Sequence, residues 1–148
     1  MMQSKNEMKL SFDARSVNEG FARVAVAAFV TELNPTLDEV ADIKTAVSEA
    51  VTNAIIHGYC QEVHKIEISA WVEEDTFTVC VQDFGVGIED VEKAMAPLYT
   101  TRRDLERSGM GFVFMEAFMD TVTVESKLSE GTKVTMSKKI GRRYEVQE

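Results

Sequence analysis

The stretch from Thr36 to Gly58 constrains this chain more than any other, because it specifies both ends of one long helix and two chemically different faces. Thr36-Leu37-Asp38-Glu39 has the form of a capping box, in which the Thr hydroxyl takes the backbone N–H three residues on and the Glu reaches back. Gly58 is the residue type that most readily ends a helix. The spacing predicts a helix of about 20 residues, roughly 30 Å long. Val40, Ile43, Val47, Ala50, Val51, Ala54 and Ile55 recur at helical spacing and form a stripe to bury, while Thr45, Glu49, Asn53 and His57 form a polar file. Residues four apart are neighbours on a helix, so Glu49 and Asn53 present a carboxylate and a carboxamide to one ligand. An isolated E-x-x-x-N pair is usually just solvated, and the rest of the chain decides what this one means.

At 148 residues the chain suits one domain over 1–148, with a core from about 8 to 137. No apolar run approaches the roughly 20 residues that span a bilayer. The start, Met1 to Glu7, lacks the apolar centre of a signal peptide, so the expectation is a cytoplasmic protein without membrane contact. Cys60 and Cys80 lack metal spacing and suit small buried positions in a reducing compartment. A net charge of −9 argues against a nucleic-acid surface, which draws its affinity from clustered Lys and Arg. Arg102, Arg103 and Arg107 gather beside glycines, where they suit a phosphorylated small molecule; Lys138, Lys139, Arg142 and Arg143 read as a solvated tail.

Ahead of the long helix, Met8, Leu10 and Phe12 alternate as a strand with one buried face. Ser16-Val17-Asn18-Glu19 predicts a second capping box, and Val17, Phe21, Val24 and Ala28 continue at helical spacing until Asn34-Pro35 stops the run. Arg23 falls outside that stripe and is expected to face solvent. After the long helix, Ile66 to Val72 and Phe77 to Val81 alternate on either side of Glu73-Glu74-Asp75, which predicts a hairpin. The second strand runs into Asp83-Phe84-Gly85-Val86-Gly87-Ile88, Asp90 to Ala96 predicts a short helix, and Pro97 to Ser108 reads as a loop or lid. Ser108-Gly109-Met110-Gly111-Phe112 opens a stretch in which Val113, Phe114, Ala117 and Phe118 fit a buried helix and Met110, Met115 and Met119 read as core filler. Val122-Val124 and Thr132-Met136 flank a Ser129-Glu130-Gly131 turn. Helices interleaved with antiparallel hairpins predict an α+β fold, a two-layer sandwich with helices on one face of a mixed, mostly antiparallel sheet.

No single motif names a chemistry. Neither glycine cluster completes G-x-G-x-x-G, no Walker A lysine motif is present, and Asp83-Phe84-Gly85 has no H-R-D catalytic loop before it. Taken in order, E-x-x-x-N on a helix, D-x-G-x-G after a strand, Thr100-Thr101 in a lid and S-G-M-G-F at a helix start form a specific set. In this order the chain resembles the GHKL ATP-binding family, whose Bergerat fold is shared by gyrase, histidine-kinase catalytic domains and MutL. Ser48 to Tyr59, Leu98 to Thr101 and Glu106 to Phe112 further resemble the anti-sigma-F serine kinases of spore-forming bacteria.

The resemblance implies an ATP site. Glu49 would be the catalytic base and Asn53 the ligand of Mg²⁺, an ion that takes few oxygens from protein. Asp83 would accept from the adenine amino group, while Gly85 and Gly87 let the backbone approach base and sugar. Gly109, Met110 and Gly111 would hold the phosphates of ATP or ADP at a helix start, Thr100, Arg107 and Ser108 would close over them, and Thr132 would lie near adenine. The implied partners are an RNA polymerase sigma factor of the sigma-F type and an anti-anti-sigma antagonist, the phosphorylation substrate, with Arg23 at the partner surface of a homodimer. A histidine kinase would need a phosphoacceptor helix pair, which neither His57 nor His64 supplies, and His57 reads as a structural helix-end residue. A gyrase or MutL relative would carry a transducer domain that this length does not hold. Two alternatives stay open: a nucleotide-dependent but non-catalytic sigma-binding module, and a stress-response kinase of the anti-sigma-B type.

Overall fold

The computed structural model describes residues 5–58, 64–95 and 111–141. Its elements are β1 (Asn6–Asp13), α1 (Val17–Val30), a 3₁₀ turn (Thr31–Leu33), α2 (Leu37–Asn53), a π-helical turn (Ala54–Gly58), β2 (Lys65–Glu73), β3 (Thr76–Asp83), α3 (Val91–Ala94), α4 (Gly111–Phe118), β4 (Thr121–Lys127) and β5 (Gly131–Lys139). The five strands form one sheet in the order β1-β2-β3-β5-β4, and every pairing among the described strands is antiparallel. No helix of the described residues is long and apolar enough to cross a membrane.

Alternation along the strands places one face of the sheet against the helices. Ile66, Ile68, Ala70 and Val72 of β2, Phe77, Val79 and Val81 of β3, and Val134 and Met136 of β5 are buried there. From the helical side Ile43, Val47, Ala50 and Val51 of α2 and Ala22, Val26 and Val30 of α1 join the same core. Each fully buried Val or Ile contributes on the order of 1.5–3 kcal/mol of transfer free energy, so this shared interface dominates what fixes α2 in place.

The α2 start forms as the sequence predicts. Thr36 Oγ1 accepts from the Glu39 N–H at 3.1 Å and Glu39 Oε1 accepts from the Thr36 N–H at 2.8 Å. The other predicted capping box does not form. Ser16 has helical dihedrals and makes no side-chain cap. Glu19 is drawn instead to α2, where Ser48 Oγ donates to it, and to Arg23, 3.8 Å away.

Helix α1 also turns a different face inward. Ala22, Val26 and Val30 are buried, whereas Val17 and Val24 are 77% and 61% exposed, so the apolar stripe that the spacing picks out lies on the outside. In α4 the buried positions are Gly111 and Met115, continued by Met119; Ala117 is exposed and Val113, Phe114 and Phe118 are only partly covered. One small residue in each, Ala22 in α1 and Gly111 in α4, lets the helix approach its neighbour closely, and an apolar count alone does not detect this. Lys138 is no tail residue: it lies in β5, donates to the Phe118 carbonyl at 2.7 Å and stands 3.7 Å from Asp42. Lys139 is the last residue of β5, while Arg142 and Arg143 lie outside the described residues.

Candidate functional site

Glu49 and Asn53 lie one turn apart on α2, both partly exposed, on a helix whose other side is buried in the core. Asn53 is the last α-helical residue. From Ala54 the chain winds as a π turn, so its i→i+5 spacing breaks the four-residue file before His57 and leaves the Glu49–Asn53 pair as its end. Gly111, the first residue of α4, is buried against this pair. A Cβ placed on Gly111 would stand 3.1 Å from Asn53 Nδ2, 3.3 Å from Asn53 Oδ1 and 3.4 Å from Glu49 Oε2. The absence of a side chain there is therefore what lets the α4 backbone come up to the two polar groups. A residue nearly sixty positions further along the chain thus meets the α2 pair at one point.

A second polar group sits at the end of the same sheet face. Asp83 is the last residue of β3 and takes the core-facing position that Phe77, Val79 and Val81 occupy before it. Its register partner in β5 is Thr132, whose own partner in β4 is Ser126. Asp83, Thr132 and Ser126 therefore form one row across three strands, directly beyond the apolar row Val81, Val134 and Val124. Asp83 is 4% and Thr132 8% exposed. Asp83 Oδ1 accepts from the Gly85 N–H at 2.9 Å, which folds the loop back over the strand end. Gly131 is what allows β5 to start here: at φ +107° its Cβ would lie 2.1 Å from the Asp83 carbonyl oxygen. Gly87, at φ +79°, passes equally close to the Lys127 carbonyl, where a Cβ would stand at 2.2 Å. Sequence reasoning assigned Gly131 only to a turn and gave Ser126 no role. The detectable signal was a polar residue at the end of three apolar alternations, each in phase with its strand's core-facing side.

Burial raises the Asp83 carboxyl above its ordinary value, opposed by the Gly85 and Thr132 backbone N–H groups that favour the charged form. The consequence for stability has a definite sign. With the folded pKa above the unfolded one, the contribution of Asp83 is fully present below the unfolded pKa and is lost as pH rises through the folded value. Asp83→Asn is thus expected to raise the melting temperature of the ligand-free protein at neutral pH relative to wild type, with the gain vanishing at acid pH. Calorimetric scans of both proteins across the carboxylate range check this; a gain that grew towards low pH would contradict it.

Arg23 is half-exposed, and its Nε is buried with no hydrogen-bond partner. It is held on α1 against Glu19 and so is less open to solvent than the pattern predicts. Thr100, Arg107, Ser108, Gly109 and Met110, together with the predicted lid, lie outside the described residues. Gly85 and Gly87 belong to the loop that follows β3, with Phe84 and Val86 exposed beside them. Among the described residues no group of three or more His, Cys, Asp and Glu side chains is arranged to hold a metal ion. Asn53 would offer a cation one amide oxygen, and with water and a ligand's own oxygens completing the shell that donor set would fit Mg²⁺.

A family model described as a histidine kinase-like ATPase domain matches residues 10–138. A Clostridium acetobutylicum protein named anti-sigma F factor is 58% identical over 135 residues, covering 91% of this chain and 94% of that one. Proteins of the same name from Geobacillus kaustophilus and Oceanobacillus iheyensis are 57% and 53% identical, each over 93% of this chain and 95% of their own. Among solved structures, the RsbU and RsbW domains of a Mycobacterium tuberculosis protein superpose with a TM-score of 0.66 at 20% identity, over 91% of this chain and 32% of that one, a likeness of fold.

Proposed function

Because the chain belongs to the histidine kinase-like ATPase domain family, the GHKL family that its motifs resemble, we propose that it is an ATP-dependent protein-serine kinase and anti-sigma factor. In this reading it holds a sigma factor of the sigma-F type inactive and phosphorylates a serine of an anti-anti-sigma antagonist, acting as a homodimer. The relatives named anti-sigma F factor, matched over nearly their whole length, support the regulatory half. One observation carries the enzymatic half: Gly111 brings the start of α4 against Glu49 and Asn53, so a phosphate held at that helix start lies beside both.

Phosphoryl transfer needs little covalent chemistry from the protein and depends on positioning and charge stabilisation. Glu49 takes the proton of the attacking serine hydroxyl, and the phosphoryl group passes from ATP to that oxygen, leaving ADP. Asn53 supplies the protein's oxygen to Mg²⁺, which when bound offsets phosphate charge. Asp83 accepts from the adenine amino group, Thr132 lies beside it, and Gly85 and Gly87 bring the loop over the base. Gly109, Met110 and Gly111 hold phosphates, with Thr100, Arg107 and Ser108 closing over them. Partner binding is assigned to α1, where Val17, Phe21 and Val24 expose apolar surface on the helix that carries Arg23.

Melting curves with and without Mg·ATP and Mg·ADP test the site directly, because a ligand that binds only the native state raises apparent stability. At a hundredfold excess over Kd the expected gain is about 2.7 kcal/mol, an upward shift of several degrees. No shift with either nucleotide would remove the ATP site. A shift without label appearing on antagonist from γ-labelled ATP would leave a nucleotide-dependent binding module.

A further inference from the structure

Ser126 carries more contacts than its place on an edge strand requires. Its Oγ accepts from the Ile88 N–H at 2.7 Å, lies 3.1 Å from the Gly131 carbonyl oxygen and 2.8 Å from Thr132 Oγ1. A serine hydroxyl has one proton to donate and two lone pairs to accept with. Carbonyl and amide can each play only one part, so Ser126 donates to Gly131 and accepts from Ile88. The remaining lone pair leaves a single arrangement for the third contact, in which Thr132 is the donor. The Thr132 proton is thereby committed to Ser126, and Thr132 turns only lone pairs to anything lying over the row. Beside it on β3 stands Asp83, also an acceptor.

Resting on the nucleotide-binding reading above, we infer that Ser126 is a positioning residue that sets base specificity. By holding the Thr132 hydroxyl proton it makes the floor of the pocket a pair of acceptors, Thr132 and Asp83, which suits a purine whose 6-position, turned to that floor, carries an amino group and opposes one whose 6-position carries a carbonyl. The same side chain ties the Gly85–Gly87 loop, through Ile88, to the β4–β5 hairpin. A role confined to that tie would affect all nucleotides alike, which separates the two roles experimentally.

The test measures dissociation constants of Mg·ATP and Mg·GTP for the full chain as wild type, Ser126→Ala and Ser126→Thr. Freed from Ser126, the Thr132 hydroxyl can donate towards a carbonyl, so the Ser126→Ala variant should lose roughly tenfold of the wild-type ATP-over-GTP preference, the scale of one hydrogen bond. Ser126→Thr keeps a hydroxyl at the same place and should restore the ratio. Should Ser126→Ala fail to fold, Ser126→Cys, whose thiol is a poor acceptor, carries the same expectation. An unchanged ratio, whether both affinities stay or fall together, overturns the inference while leaving the ATP site standing. Wild-type protein that binds neither nucleotide overturns the site itself, and this inference with it.

Discussion

Glu49→Gln should bind Mg·ATP about as tightly as wild type and transfer its phosphate to the antagonist about 10²–10⁴-fold more slowly, the range that a positioned general base supplies. The substitution keeps the shape of the side chain and its place on α2, beside Asn53 and against Gly111, and removes its negative charge and its capacity to take a proton. Because Glu49 lies on a helix anchored by Ile43, Val47, Ala50 and Val51, the substitution leaves the backbone that carries the side chain in place. Affinity is therefore expected to stay while the rate falls, a split that isolates chemistry from binding. Single-turnover transfer of label with antagonist in excess, alongside a nucleotide titration, reads both quantities. Transfer at the wild-type rate would show that Glu49 is not the base.

Gly131→Ala is expected to be, with Gly87→Ala, among the most damaging single methyl additions in the described part of the chain. The new Cβ would stand 2.1 Å from the Asp83 carbonyl oxygen and 2.7 Å from the Phe84 Cα, backbone atoms that cannot swing aside, at a φ of +107° that side chains rarely adopt. Left-handed strain and forced overpacking each cost about 1–3 kcal/mol, so a combined loss of roughly 2–6 kcal/mol follows. For a chain of this length that lowers the melting temperature by about 10 °C. Relief of the clash pushes the end of β3 away from β5, so nucleotide binding should weaken as well, because Asp83 and Thr132 no longer share a row. Thermal melts and nucleotide titrations check both; a variant melting within a degree of wild type would show that the close approach is not required.

Much of this was legible in the sequence where local rules and burial agree. The Thr36–Glu39 cap, the α2 stripe, the hairpin around Glu74-Asp75 and the strand ending in Asp83 all follow from spacing and residue type, and all are present. Motif order also named Gly111 together with Glu49 and Asn53, and the first residue of α4 does pack against that pair. What spacing misjudged was orientation. In α1 two apolar sets share the helical period, and the larger residues lost to Ala22, Val26 and Val30 because the small side chain of Ala22 permits close packing on α2. Ser16-Val17-Asn18-Glu19 has the letters of a cap, yet Glu19 gains a partner on α2 that no local rule includes. Ser126 was invisible for a related reason: its importance lies in register across three strands, and pairing between distant strands is not written in any short stretch.

The strand order has a consequence for how the protein comes into being. The sheet is not laid down in the order of synthesis, because β5 inserts between β3 and β4 and closes the floor of the site from both sides. Until β5 docks, Asp83 ends a bare edge and Thr132 has no row to join. The β3–β5 pairing also spans a long separation along the chain, the kind of contact that forms slowly because a large loop must close first. An unfinished or half-folded chain can therefore bury α2 against β2 and β3 and still lack the row of Asp83, Thr132 and Ser126, so on the reading proposed above competence for nucleotide arrives last and reports that the sheet is whole.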